Sequence, residues 1–207
     1  MAAPSLLLIT DRKNTDLPLS EVLAQALQAG CRWIMIREKD LATAELSPIV
    51  KEAKTVAKSF GAMVSVNNDF NAAAICQVKA VHLPQGQPIA TIRRVMGPDT
   101  LIGVSAHSVT EAQMAAAEGA SYLTASPVFE TDSKPGYGPA LKPKGLAQIV
   151  EAVRIPVLAL GGVTAANAAS CIEAGAAGVA VMGSVMRAAN PGVVVGELIA
   201  ALSATQT

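Results

Sequence analysis

The sequence has no surplus of charge of either sign: 16 Lys plus Arg stand against 16 Asp plus Glu, and charged residues make up only 15% of 207. Without a basic excess there is no bulk electrostatic footprint for nucleic acid or for an anionic membrane. Cysteine is scarce too. Cys31, Cys76 and Cys171 are odd in number and far apart, with no CxxC and no paired histidine, so neither a disulfide framework nor a zinc site is indicated. They read as small buried apolar residues. No GxGxxG opens the first helix, and no Ser-His-Asp arrangement, HExxH or P-loop is visible. The longest stretch without a charge, Ile155 to Ile172, reaches the length at which a spanning helix is considered. Pro156, Gly161, Gly162, Thr164, Asn167 and Ser170 break it into strand, turn and helix. Met1 to Thr10 lacks the basic flank and cleavage site of a signal peptide, so a cytoplasmic location is expected.

What the chain does have is an apolar content of 51% and a mean hydropathy of +0.41, enough for a sizeable core and too much for disorder. Short β-rich runs alternate with Ala-rich segments of helical period from one end to the other. The predicted strands are Leu6 to Thr10, Trp33 to Arg37, Met63 to Val66, Ala80 to Leu83, Leu101 to Ser105, Tyr122 to Ser126, Val157 to Leu160 and Val179 to Met182. A helical segment follows each. Clear examples are Leu19 to Ala29, Thr43 to Phe60, Thr110 to Glu118, Ala165 to Ala174 and Val193 to Leu202, with Gly30, Gly61, Gly119 and Gly175 placed as C-caps. Eight βα units of about 26 residues predict a compact (β/α)8 TIM barrel, one α/β domain over 1–207, ahead of a doubly wound open sheet. The one long connection, about 127–144, is rich in Pro, Gly and charge and is the expected substrate loop.

In a barrel the chemistry sits where strands end, at the C-terminal face. Arg37, Glu38, Lys39 and Asp40 end the second strand, and Asn67, Asn68 and Asp69 the third; Gln85 and Gln87 follow the fourth, and Ser105 and His107 end the fifth. The sixth runs into Thr131, Ser133 and Lys134, the seventh ends in Gly161 and Gly162, and the eighth in Gly183 and Ser184. Glycines at these last two places, with a helix starting near Ser184, predict a phosphate site built on backbone N–H groups, into which a side chain at Gly162 would project. A Gly-Gly pair alone is also a plain tight turn. Arg37, Lys39 and Lys134 together suit a small polyanion such as a diphosphate; the alternative is a solvated helix start with Asp40 as its N-cap. Asn68 and Asp69 add the acceptors that recruit Mg2+ beside phosphate oxygens, and Asp69 serves equally as the N-cap of the third helix. His82 and His107 read as structural histidines.

Seven segments in order carry a resemblance: Ile-Thr-Asp-Arg (9 to 12), Ile-Arg-Glu-Lys-Asp (36 to 40), Asn-Asn-Asp (67 to 69), Val-His-Leu-Pro-Gln (81 to 85), Gly-Val-Ser-Ala-His (103 to 107), Pro-Val-Phe-Glu-Thr-Asp-Ser-Lys (127 to 134) and Leu-Gly-Gly-Val (160 to 163). Together the chain resembles the thiamine-phosphate synthase and thiazole tautomerase family of (β/α)8 barrels. Synthase members join 4-amino-2-methyl-5-hydroxymethylpyrimidine diphosphate to a thiazole phosphate, giving thiamine phosphate and diphosphate. The resemblance implies that Arg37, Lys39, Asn68 and Lys134 hold the diphosphate, that Asp69 binds Mg2+, and that Ser105 lies near the leaving group. It further implies that Thr131, Ser133, Gly162 and the backbone at Gly183 and Ser184 hold the thiazole phosphate.

Three departures qualify it. Pro84-Gln85-Gly86-Gln87 stands where synthases read Gly-Gln-Glu-Asp, which puts the Gln87 amide in the place of a second metal-binding carboxylate. Met35 replaces a pyrimidine-contacting Gln. Phe129 to Asp132 and Leu83-Pro84 are worded like the tautomerase branch, yet Pro127 stands where that branch carries its catalytic His. The expectation is therefore a synthase acting on phosphorylated small molecules with Mg2+. The alternatives are a tautomerase, with His107 as first candidate base, and a non-catalytic barrel that binds a thiamine precursor. No nucleic acid or membrane partner is expected, and assembly as a homodimer is left open.

Overall fold

The computed structural model describes residues 5–131 and 139–205. Eight parallel strands close into a barrel in chain order: β1 (Leu6–Ile9), β2 (Trp33–Ile36), β3 (Met63–Asn67), β4 (Ala80–Leu83), β5 (Leu101–Ala106), β6 (Tyr122–Ala125), β7 (Val157–Leu160) and β8 (Gly178–Val181). Every strand lies where the sequence predicts one, with ends displaced by at most one residue. The helices among the described residues are α1 (Leu19–Gln28), α2 (Thr43–Ser59), α3 (Phe70–Ile75), α4 (Ile89–Met96), α5 (Val109–Ala117), α6 (Lys142–Glu151), α7 (Ala165–Glu173), the short α8 (Gly183–Met186) and α9 (Pro191–Ser203), with a 3-10 turn at Arg12–Asn14. The four predicted C-cap glycines all follow helices with positive φ, between 62° and 106°. Closure is made by β1 against β8, with Leu6 opposite Val179 and Leu8 opposite Val181.

Because side chains alternate along a strand, half of each strand faces the helices and half faces the barrel axis. Leu6, Leu8, Ile34, Ile36, Val64, Val66, Ile102, Val104, Val179 and Val181 belong to the outer core that the helices cover. The axis holds a second, separate cluster built from Leu7, Ile9, Trp33, Met35, Tyr122, Leu158 and Ala180. Trp33 and Tyr122 meet edge to face at 4.8 Å. Tyr122 fits there because residue 103, across from it on β5, is glycine: a Cβ at Gly103 would collide with the phenol ring.

The axis is not uniformly apolar. From β3 to β6 it carries buried polar groups, Ser65, His82 and Thr124, and at its upper end Ser105. Each is satisfied. The Trp33 indole N–H donates to Ser65 Oγ at 3.2 Å. His82 Nδ1 is 3.2 Å from the Tyr122 hydroxyl, and His82 Nε2 is 3.0 Å from Ser105 Oγ and 3.3 Å from Thr124 Oγ1. The structural role expected of His82 is thus observed, with partners that its own strand does not supply.

Burial pushes the His82 pKa down from 6.5 to about 4. On acidification the unfolded chain takes up a proton near pH 6.5 while the folded chain does not until about 4, so stability present above 6.5 is lost as pH falls. Between pH 7 and 4.5 this amounts to about 2 to 3 kcal/mol. The His82→Gln variant, which does not titrate, should lose correspondingly less over that range in urea unfolding; equal pH dependence of the two proteins would refute the assignment.

Candidate active site

The C-terminal mouth of the barrel is built by a clamp between the β1 and β2 loops. Glu38 is 5% exposed and accepts from the Thr10 hydroxyl at 2.6 Å, from the Arg12 backbone N–H at 2.9 Å and from Arg12 Nη1 at 3.3 Å. The Arg37 N–H in turn donates to Thr10 Oγ1 at 2.9 Å. Asp40 accepts a forked pair from Arg12 at 2.6 and 2.7 Å and lies 3.0 Å from Lys13 Nζ. The Arg12 fork and the Lys13 ammonium hold the Asp40 carboxyl well below the usual carboxylate range. The two acids of Arg37-Glu38-Lys39-Asp40 therefore anchor the segment to the neighbouring loop. Asp40 is not the N-cap of α2: that position is Ala42, whose N–H is taken by Glu45 at 3.1 Å.

The basic residues that alternate with those acids, Arg37 and Lys39, line a cavity of about 730 Å³ together with Asn67, Asn68, Asp69 and Ser105. That volume is ordinary for a small-molecule site. Arg37 is held loosely, with Nη1 at 3.8 Å from Asp11 and 3.7 Å from the Met182 sulfur. Asp69 caps α3, Oδ1 accepting from the Ala72 N–H at 2.8 Å, while Oδ2 accepts from the Thr43 hydroxyl at 2.7 Å. The N-cap role expected of Asp69 is observed. Asn68 has a φ of 63° and its N–H donates to the His82 carbonyl at 2.7 Å, so the turn after β3 is tied to β4.

The structure separates some residues that the sequence placed together. Gln87 does not line this cavity; with Gln85, Gly86, Glu111 and Glu118 it lines a smaller one of about 170 Å³ against α4 and α5, and Pro84 stands between the two. No group of three or more His, Cys, Asp or Glu suited to a metal is found among the described residues. Asp69 still fits Mg2+, which needs only one or two carboxylates when phosphate oxygens and water complete the shell.

Gly161 and Gly162 end β7 with φ of 97° and 65°. A side chain at Gly162 would not enter the pocket as expected: its Cβ would strike the Glu130 carbonyl and lie 2.7 Å from Phe129 Cβ. The segment after β6 packs over this turn, with the Val128 N–H donating to the Leu160 carbonyl at 2.9 Å and the Phe129 N–H to Gly161 at 3.0 Å. Thr131 follows it, half-buried. Ser133, Lys134 and the middle of the expected 127–144 loop lie outside the described residues. Gly183 and Ser184 open α8 beside that turn, β7 and β8 being paired. The Arg187 guanidinium covers Gly183, its Nη2 2.7 Å from where a Cβ would sit. Sequence reasoning missed Arg187, and it missed Thr10, Arg12 and Thr43 as supports. The signal was present: Glu38 ends an apolar strand and, once buried, requires donors, and in a barrel the loop after β1 is adjacent. His107 does not line the main cavity, and its Nδ1 is 2.6 Å from the Ser126 carbonyl.

A polar cavity at the C-terminal mouth of a closed (β/α)8 barrel, with cations on one wall and a carboxylate and amides on another, has the size and position of a barrel enzyme's active site. The sequence model described as thiamine monophosphate synthase matches residues 6–185, and the chain belongs to that family. It is 36% identical over 185 residues to the thiamine-phosphate synthase of Roseiflexus sp. (strain RS-1), covering 88% of this chain and 78% of the relative. It is 34% identical over 203 residues to the thiamine-phosphate synthase of Geobacillus kaustophilus, covering 96% and 92%. Its fold matches the solved thiamine phosphate pyrophosphorylase of Pyrococcus furiosus with a TM-score of 0.89 at 31% identity, over 98% of this chain and 97% of that one. No helix among the described residues is long and apolar enough to cross a membrane.

Because the Glu38 side chain is almost wholly buried and answers three donors, Glu38→Ala should cost roughly 3 kcal/mol in chemical denaturation. Glu38→Gln, which keeps the shape, should cost less. A wild-type midpoint for Glu38→Ala would show that the clamp does not hold the mouth.

Proposed function

We propose that this protein is a thiamine-phosphate synthase, a transferase joining hydroxymethylpyrimidine diphosphate to thiazole phosphate. The observation that carries the reading is the gathering of Arg37, Lys39, Asn68, Asp69 and Ser105 around one cavity, in a chain of the thiamine monophosphate synthase family. The C–O bond of the pyrimidine methylene breaks and its electron pair leaves with the diphosphate. The resonance-stabilised pyrimidine cation is captured by the lone pair of the thiazole nitrogen, forming the new C–N bond. Little covalent work falls to the protein. Its task is to neutralise charge that grows on the departing diphosphate.

Arg37 and Lys39 supply positive charge there, and Asn68 and Ser105 supply neutral donors; Lys134, outside the described residues, is assigned to the same diphosphate by the family resemblance. Asp69 would hold Mg2+ beside the diphosphate, and the ion, when bound, supplies further charge neutralisation. The partly buried Met182, beside Arg37 at the end of the barrel axis, suits a planar pyrimidine ring. The thiazole phosphate fits the neighbouring turn, where Gly161, Gly162, Gly183 and Ser184 offer backbone N–H groups, Thr131 a hydroxyl and Arg187 a nearby cation; Ser133, outside the described residues, is assigned to it by the family resemblance.

Incubation with both substrates and Mg2+ should release diphosphate; no release would overturn the reading. Arg37→Ala and Lys134→Ala should each lower kcat/KM at least 100-fold, since a preorganised donor aimed at developing charge is worth roughly 3 kcal/mol. Unchanged kcat/KM in both would reduce the cluster to solvated surface. Because Gln87 lies beyond Pro84 in a different cavity, Gln87→Asp should leave the Mg2+ concentration for half-maximal activity where it is. A lower requirement would place residue 87 at the metal after all.

A further inference from the structure

Three hydroxyls converge on the two ring nitrogens of one buried imidazole. Tyr122 faces His82 Nδ1 at 3.2 Å, while Ser105 and Thr124 face Nε2 at 3.0 and 3.3 Å. His82 and Tyr122 are 4% and 2% exposed, whereas Ser105 reaches the cavity wall. We propose that Tyr122 fixes His82 as the Nε2–H tautomer, so that His82 donates to Ser105 Oγ and the Ser105 proton is turned into the cavity as a donor to substrate. Tyr122 and His82 are thereby positioning residues for Ser105, and the inference rests on the synthase reading only in naming the departing diphosphate as the acceptor.

The argument is one of donor and acceptor accounting. A neutral imidazole has one N–H and one lone pair in its plane. The phenol is the most acidic of the three hydroxyls and so the strongest donor, and His82 Nδ1 is its hydrogen-bonding partner. Were Nδ1 protonated, the Tyr122 proton would be buried without an acceptor, at the cost of desolvating a strong donor. With Nδ1 accepting, Nε2 must carry the hydrogen, and Ser105, at the shorter of the two distances, receives it. Its own proton then has the cavity before it. In the opposite tautomer Nε2 would draw that proton inward and present lone pairs to an anion, which is the wrong polarity for a diphosphate. The depressed pKa of His82 keeps the ring neutral through the ordinary pH range, so the arrangement does not depend on pH there. The vacancy at Gly103 belongs to the same device, since it lets the Tyr122 ring reach across β5 toward His82.

Two measurements test this, one of them without turnover. In wild-type protein labelled with 15N-histidine, His82 should show a protonated Nε2 and an unprotonated Nδ1 near neutral pH; the reverse pattern overturns the proposal. Affinity for inorganic diphosphate with Mg2+, read by calorimetry, should fall about tenfold in Ser105→Ala and in Tyr122→Phe. The double variant should fall no further than Ser105→Ala alone, and His82→Gln, whose amide can still donate to Ser105, should retain more affinity than His82→Leu. Independent, multiplying losses from Tyr122→Phe and Ser105→Ala overturn the proposal, as does wild-type affinity in Tyr122→Phe. Diphosphate binding without any synthase turnover would overturn the functional reading alone, because neither the tautomer nor the affinity cycle depends on catalysis.

Discussion

The mouth of this barrel depends on one buried carboxylate. Glu38 gathers the Thr10 hydroxyl, the Arg12 backbone and the Arg12 guanidinium, and so joins the loops that follow β1 and β2. Asp40 repeats the contact nearer the surface through the Arg12 fork and Lys13. The bases interleaved with these acids, Arg37 and Lys39, remain for the cavity. A chain with zero net charge can thus present cations to the cavity, because the acids of the same segment, Glu38 at the cavity wall included, are already engaged by Thr10, Arg12 and Lys13. The field at the site comes from the separation of charges, and no excess is needed.

Beneath the mouth the barrel axis is divided. From β7 round to β2 it is apolar, with Leu158, Leu160, Ala180, Met182, Leu7, Ile9, Trp33 and Met35. From β3 to β6 it carries Ser65, His82, Ser105 and Thr124, joined by hydrogen bonds to the rim of the aromatic pair. A buried polar group is tolerable only when its partners are in place, and here each helps fix another. The result is a floor with an apolar side and a hydrogen-bonded polar side, the latter ending in the Ser105 hydroxyl at the cavity wall.

Most of the fold was legible in the sequence, because strand and helix periods alternate without filler and glycines punctuate them. The cavity residues Arg37, Lys39, Asn68, Asp69 and Ser105 were legible for a related reason: in a barrel, polar residues just past an apolar run have one place to go. What could not be read were partnerships across loops. Asp40 looked like a cap because a cap is local, yet its partner Arg12 is 28 positions away. Gln87 looked like a ligand because it follows a strand end, but the loop turns outward past Pro84. Gly162 looked open because its own neighbours are small; the Phe129–Glu130 backbone that closes over it arrives from β6.

Closure of the barrel orders events in time. β1 pairs on one side with β2, some 25 residues on, and on the other with β8, where Ser5 accepts from the Val179 N–H at 2.8 Å. During synthesis the first strand made waits for the last, and one of its edges keeps unmatched backbone groups until residue 178 has emerged. The Thr10 to Glu38 contact does not wait, since both loops exist early. The mouth can therefore be pinned before the wall behind it is finished, which makes β1 at once the earliest scaffold of the site and the seam along which a nascent chain is open to pairing with another.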